Sequence, residues 1–411
     1  MVSNAGGHMK IACVGGGPAG LYFALVAKLR DPGREVVVVE RNPPGTTYGW
    51  GVVYWDSLRN VLHQIDPQTA REITARSVTW TGQTLRVGDE IVHLGGYGYS
   101  IGRQQLLDIL QARARQVGVQ MTFEETVTDA ADIDADLVVA ADGNTSAIRS
   151  RNVDAFGPSV HTGNNSYIWL GTTKEFSDFT FGCERTDAGW LWYHGYQFAP
   201  GASTVIVECA EPTWRKLGLD TLDNAACLKL LADVFDRHLD GAPLLDRRPG
   251  QNPSAWTHFP TLTNERWYDG RVVLLGDAAH TAHYSIGSGT RLALEDAIAL
   301  ADALSVPGTG IADAVGRYAD KRRPEVERWQ AEAAASATWF ESMDEHLEHD
   351  PMDVAHALLQ RREPGTAADF DNIDRSAWDY RLMRATQNPV VRRARWLVSA
   401  ERRRRAAARL R

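Results

Sequence analysis

Three glycine-and-acid runs, each at the end of an apolar strand, carry the side chains with the clearest chemistry in this sequence. Together they suit a large cofactor rich in phosphate and hydroxyl groups. The longest is Gly276-Asp277-Ala278-Ala279-His280-Thr281-Ala282-His283-Tyr284-Ser285-Ile286-Gly287-Ser288-Gly289-Thr290. Asp277 is of the type that accepts hydrogen bonds from sugar hydroxyls. The backbone N–H groups of Gly287, Ser288, Gly289 and Thr290 fall where helix N-terminal donors are free to bind an electron-rich oxygen. Taken alone, this run also fits an ordinary strand-loop-helix crossover. Gly15-Gly16-Gly17-Pro18-Ala19-Gly20 is more specific. Gly15 permits a tight turn, Gly17 lets the backbone approach a pyrophosphate, and Gly20 lets a helix pack on its strand. Glu40, twenty residues beyond Gly20 and next to Arg41, is placed to bind a ribose diol. Asp142-Gly143, followed by Ser146 and Arg149, is a third acidic turn at a strand end.

These turns need strands and helices to hold them. Lys10–Val14, Glu35–Val39, Leu137–Ala141 and Val272–Leu275 read as buried strands, and Leu21–Arg30 and Arg291–Leu304 as helices. A helix is expected from about Ser100, its N-cap, to Gln116. Arg103 then sits in the first turn, where positive charge opposes the helix dipole, so an anion is expected to face it. Val78–Leu94 alternates as a hairpin with Thr81-Gly82 or Gly88-Asp89 as its turn. Ala312–Ala337 is helical, with Pro324 expected to start a new segment.

From about Tyr167 to Trp256 the pattern changes to alternating strands rich in aromatics. An antiparallel sheet with an aromatic face can wall a pocket for a flat substrate. Trp190, Trp192, Tyr193 and His194 are the candidates, with Trp50 and Tyr284 from the glycine loops. Aromatics are also good strand formers, so a core role competes for each of them. His280 and His283 flank the long glycine loop and are the candidate proton-transfer residues, a structural role being the alternative.

The chain has 411 residues, 44% hydrophobic and 23% charged, with a net charge of -8. That length suggests two intertwined domains, and that charge argues against a nucleic-acid partner. Cys13, Cys183, Cys209 and Cys227 form no CxxC pair and no metal spacing, so reduced structural thiols and no metal are expected. No apolar run approaches the roughly 18 residues of a membrane span. No charged-then-apolar leader precedes Met9. A cytoplasmic protein, monomeric or homodimeric, is the expectation. The arginines at 392, 393, 395, 402–405, 409 and 411 form a basic, helical tail, read as a solvated face or a phosphate-binding patch.

The order Gly15–Gly20 with Glu40, then Asp142-Gly143, then Gly276-Asp277 resembles the single-component flavin-dependent aromatic monooxygenases, with the fold of p-hydroxybenzoate hydroxylase. The resemblance runs from about residue 9 to about residue 330. The variant from His280 to Thr290, in place of the usual prolines, is similar to the branch of the salicylyl-CoA and 2-aminobenzoyl-CoA hydroxylases and the tryptophan hydroxylase of violacein biosynthesis. The resemblance implies an α/β (α+β overall) fold: a Rossmann-like FAD-binding domain with an antiparallel-sheet substrate domain inserted, and a helical C-terminus. The implied segments are 9–76, 99–165 and 263–330 for FAD, 77–98 and 166–262 for the substrate side, and 331–411 for the helical end. It implies FAD held by the three motifs and Arg103, NADPH or NADH as a transient co-substrate, and O2. It also implies a small aromatic substrate hydroxylated through a flavin C4a-hydroperoxide. A flavin oxidase or reductase, a halogenase-like enzyme, or a non-catalytic FAD-binding protein are the alternatives.

Overall fold

The computed structural model describes residues 9–246, 255–365 and 368–409, without the side chains of 402–409. Lys10–Val14 lies at the centre of a six-stranded sheet, between Glu35–Glu40 and Leu137–Ala140 and parallel to both. Gln120–Phe123 extends one side and Val272–Leu274 the other, all parallel. Tyr268–Asp269 adds an antiparallel edge strand. The strands that precede the three glycine turns are therefore neighbours, and their C-terminal ends open on one side of the sheet, where parallel sheets bind ligands.

The turn geometry explains the glycines. Gly15 has φ +111°, and a Cβ there would stand 2.2 Å from the carbonyl oxygen of Ala141. A Cβ on Gly20 would meet the carbonyl oxygen of Gly15 at 2.2 Å, so only glycine lets this helix sit on its strand. The helix Pro18–Arg30 opens with proline in its first turn, where no backbone donor is lost. Nine consecutive residues, Ala19 to Ala27, are buried, so this is a core helix with no polar face. It packs against the helix Gly289–Ala303.

The second sheet is mainly antiparallel. Pro158–Thr172, Ala202–Cys209, Gly189–Ala199 and Phe179–Thr186 follow one another across it. The hairpin Gln83–Val87/Glu90–Gly95 joins its edge, turning at Gly88-Asp89. Val78–Trp80 leaves the expected hairpin and pairs with Gly98–Gly102 in a small three-stranded sheet. The helix that follows begins at Arg103 with Gly102 as N-cap. Ser100 is instead a buried strand residue whose hydroxyl donates to the Gln197 carbonyl, so the expected cap is displaced by tertiary structure.

Ile311–Glu341 is one continuous helix through Pro324, not two segments. Pro324 is exposed, so the carbonyl left without its donor faces the solvent side. Buried Arg322 and Val326 on either side hold the helix to the core. The helices Pro351–Gln360, Trp378–Thr386 and Pro389–Arg409 follow. They cover the hairpin edge: Gln387 accepts from His93 N–H at 2.8 Å and donates to its carbonyl at 2.9 Å. No helix among the described residues is long and apolar enough to cross a membrane. The side chains of Arg402 to Arg405 and Arg409, and residue Arg411, lie outside the described residues.

Candidate active site

One cavity runs from the glycine turns to the aromatic face of the second sheet. At its first end Gly17, Gly143 and Gly289 present bare backbone, since a Cβ on any of them would meet nothing within 4 Å. Gly17 and Ser288 are the N-caps of the helices Pro18–Arg30 and Gly289–Ala303, and neither supplies a side-chain cap. Two sets of free helix N-terminal donors therefore converge on one space, a ready site for anionic oxygens. Asp142 Oδ2 accepts from Ala147 N–H at 2.8 Å, while its Oδ1 is buried without a partner. Arg149 Nη1 donates to the Ala278 carbonyl at 2.9 Å, tying the second turn to the third.

Asp277 and Arg103 line the same space. Asp277 is accessible from the cavity yet deep within the protein; burial raises its carboxyl, and the Arg103 charge opposes that rise. Arg103 is pushed down by burial and held up by Asp277, and its Nε is buried without a partner. Gly287 has φ +65°, and a Cβ there would stand 2.8 Å from Trp55 and Val53, so the loop closes only with glycine.

At the other end the walls are Phe179, Phe181, His194, Tyr196 and Tyr284. Phe179 stacks on Tyr196 at 5.4 Å, and His194 stands edge-on to Phe181 at 5.1 Å. Tyr284 donates its hydroxyl to Glu208 Oε2 at 2.6 Å, and Asn165 donates to Oε1 at 2.8 Å. Glu208 is 1% exposed, and burial raises its carboxyl to about 7 in spite of these bonds. His194 Nε2 lies 3.7 Å from the same carboxyl and has no hydrogen-bond partner. Burial, with Arg361 and His283 nearby, keeps its imidazole neutral.

Comparison with known proteins gives the family. Residues 240–333 match a family model described as an FAD binding domain. A salicyloyl-CoA 5-hydroxylase of Streptomyces is 39% identical over 368 residues, covering 87% of this chain and 70% of the relative. A 3-hydroxy-4-methyl-anthranilyl-[aryl-carrier protein] 5-monooxygenase of Streptosporangium sibiricum is also 39% identical, covering 81% and 89%. The chain belongs to the FAD-dependent aromatic monooxygenases. The fold is shared with the tetrameric form of 2-methyl-3-hydroxypyridine-5-carboxylic acid oxygenase, at a TM-score of 0.70 and 20% identity, over 87% of this chain and 99% of that one.

Several expected residues of this monooxygenase take their places in the cavity and others do not. Gly17, Pro18, Ala19, Arg103, Gly143, Asp277, Gly287, Gly289 and Thr290 line it. Gly15, Gly20, Asp142, Gly276 and Ser288 stand behind the lining and shape its turns. Glu40 is also behind: it accepts from Gly16 N–H at 2.6 Å and from both nitrogens of Asn42, while Arg41 is exposed.

His280 and His283 do not reach the cavity. His280 Nε2 pairs with Asp296 at 2.6 Å, and Arg322 Nε holds that carboxylate at 2.7 Å, a buried network inside the fold. His283 Nδ1 meets Ser285 Oγ at 2.9 Å, and burial lowers the imidazole to about 3. Strand alternation disposes of the expected run of wall aromatics. His194 reaches the cavity, but Trp190 and Trp192 on the same face pack further along, in a core shared with the C-terminal helices. Tyr193 points to the opposite face, where its hydroxyl meets His238 Nδ1 at 3.0 Å. Trp50 covers Gly171 instead of the cavity, although its neighbours Gly51 to Val53 line it. Glu208, Phe179, Phe181, Arg361 and Arg362 line or back the cavity without being among the expected residues. The even spacing of 194, 196, 206 and 208 on paired strands is the pattern that points to Glu208; nothing local points to the arginines.

Proposed function

We propose that this monooxygenase binds FAD across the three turns and uses NAD(P)H and O2 to hydroxylate an aromatic ring seated between Phe181, His194 and Tyr284. The observation that carries the reading is one continuous cavity, with helix N-termini and Arg103 at one end, unpartnered Asp142 and Ser288 atoms behind them, and an aromatic cage at the other end. That donor set fits FAD: Gly17 and Gly143 offer open backbone to a pyrophosphate, Asp277 an acceptor to hydroxyls, and Gly289 and Thr290 donors to a charged ring edge. Bound there, FAD supplies the redox chemistry and the activation of oxygen. The protein's own part is to orient the ring, exclude water and handle a proton. Tyr284 Oη can take a proton from a ring hydroxyl or amino group as it passes its own to Glu208 Oε2, with neutral His194 beside the same carboxyl. The substrates named for two relatives, each 39% identical, are an aryl thioester of coenzyme A and one of a carrier protein, which favours an aromatic acyl substrate over a free indole.

The test is a panel of aromatic acids, their CoA thioesters and tryptophan, followed by NADPH and NADH consumption and by product mass. Stimulated consumption with a product heavier by one oxygen atom is expected. Stimulation without oxygen gain identifies an oxidase or reductase; no stimulation by any aromatic contradicts an enzyme of this class.

A further inference from the structure

Arg361 and Arg362 follow directly on the helix Pro351–Gln360, far along the chain from every motif, and both line the cavity. Arg361 donates Nε to Ser336 Oγ at 3.1 Å, Nη1 to the Leu358 carbonyl at 2.6 Å and Nη2 to the Ser285 carbonyl at 2.9 Å. Every acceptor is neutral. Its guanidinium lies over the rings of Phe181 and Phe340, 5.5 and 5.6 Å from their centroids. Burial, reinforced by Arg362, lowers it to about 9, and no acid opposes the shift, yet it stays charged near neutral pH. The side chain borders the cavity, so part of it is accessible from that side although it lies deep in the protein.

A guanidinium carries five N–H donors, and three are used here. One remains on each terminal nitrogen. Paired guanidinium N–H groups match the oxygens on a carboxyl carbon, a match lysine does not provide. Around it the surfaces are flat and apolar: the His194 and Phe340 rings are 4.8 Å apart, and Phe181 stands against both. At the opposite end Arg103 already faces Asp277. The aromatic cage thus holds a buried cation that no described carboxylate neutralises, and such a charge is costly until a ligand oxygen reaches it.

We propose that Arg361 is the acyl-recognition residue of this monooxygenase, its remaining terminal N–H pair holding the acyl oxygen of a ring carboxylate or ring thioester. The inference rests on the functional reading above and narrows its substrate to an aromatic acyl compound. Because Arg361 also holds the Ser285 carbonyl, and Arg362 the Ile286 carbonyl at 3.1 Å, seating the acyl group bears directly on the glycine loop at the flavin end.

The test is calorimetric binding of 2-aminobenzoate, 2-aminobenzoyl-CoA and aniline to flavin-loaded wild type, Arg361→Met and Arg361→Lys. In Arg361→Met the better-bound acyl probe is expected to weaken about tenfold or more, with aniline unchanged. A loss confined to the free acid identifies a carboxylate ligand, and one confined to the thioester identifies its carbonyl. Arg361→Lys keeps the charge without the fork, so it retains part of the affinity for either acyl oxygen and loses more of it for the carboxylate, which the fork can hold at two points. It carries the same comparison if Arg361→Met does not fold with flavin. Equal weakening of aniline, no weakening of the acyl probes, or wild-type binding of aniline as tight as both acyl probes overturns the proposal. Oxygen insertion by the wild type into any aromatic would leave the functional reading standing in those cases.

Discussion

At the scale of single residues, the polar group that most sets this site apart is Glu208, a carboxyl with almost no solvent contact behind a tyrosine that faces the cavity. Burial lifts it from its ordinary 4.5 to about 7. A carboxyl raised on folding contributes stability that is complete below its unfolded value and is lost as the pH rises through the folded one. The wild type should therefore lose stability between about pH 4.5 and pH 7 that Glu208→Gln, already neutral, keeps. The difference is roughly 3 kcal/mol, readable as diverging urea midpoints at pH 5 and pH 8.5. Parallel midpoints would mean that folding does not raise the carboxyl. His283, which the sequence offers as the proton carrier, is by contrast closed off by Ser285, Phe259 and Tyr284. His283 and Tyr284 are adjacent in the sequence and their rings lie 4.3 Å apart, yet only Tyr284 lines the cavity, because the local path of the loop, which the sequence does not show, decides which of the two reaches it.

At the scale of elements, the glycine turns divide into two physical kinds. Gly20 is required by packing, and Gly17 faces open space. Gly20→Ala should cost about 3 kcal/mol or unfold the protein, since its methyl has no room against the Gly15 carbonyl. Gly17→Ala should leave thermal stability of the apoprotein within about 0.5 kcal/mol of wild type while lowering the flavin retained on purification. Equal flavin content in Gly17→Ala and wild type would remove that backbone from the cofactor site. These turns are legible in the sequence because a strand, a glycine at a fixed offset and a helix are all local. The aromatic wall is not. Trp190, Trp192, Tyr193 and His194 are adjacent in sequence, but a strand sends Tyr193 to one sheet face and the others to the second. Which of those lies beside the cavity depends on where the C-terminal helices cover the sheet. The run of helix through Pro324 and the strand pairing of Ser100 fail to show for the same reason, since long-range contacts decide them.

At the scale of the whole molecule, the cavity is assembled from pieces more than three hundred residues apart. Gly17 and Asp277 line its glycine-turn end, Tyr284 lines its aromatic end, and Arg361 reaches it from the C-terminal helices. The first two are motif residues visible from spacing alone. Arg361 has no local signature, and only the folded chain brings it to Ser285 and Phe181. In the proposed reaction, oxygen activated at the cofactor end must reach a ring seated at the aromatic end of the same cavity. The most direct measurement is turnover of the FAD-loaded protein with NAD(P)H, an aromatic acyl substrate and isotopically labelled dioxygen, with mass analysis of the product. One labelled oxygen atom on the ring, formed only in the presence of all three, is the predicted result. A product carrying oxygen from water, or NAD(P)H oxidation that the aromatic neither stimulates nor converts into product, would contradict it.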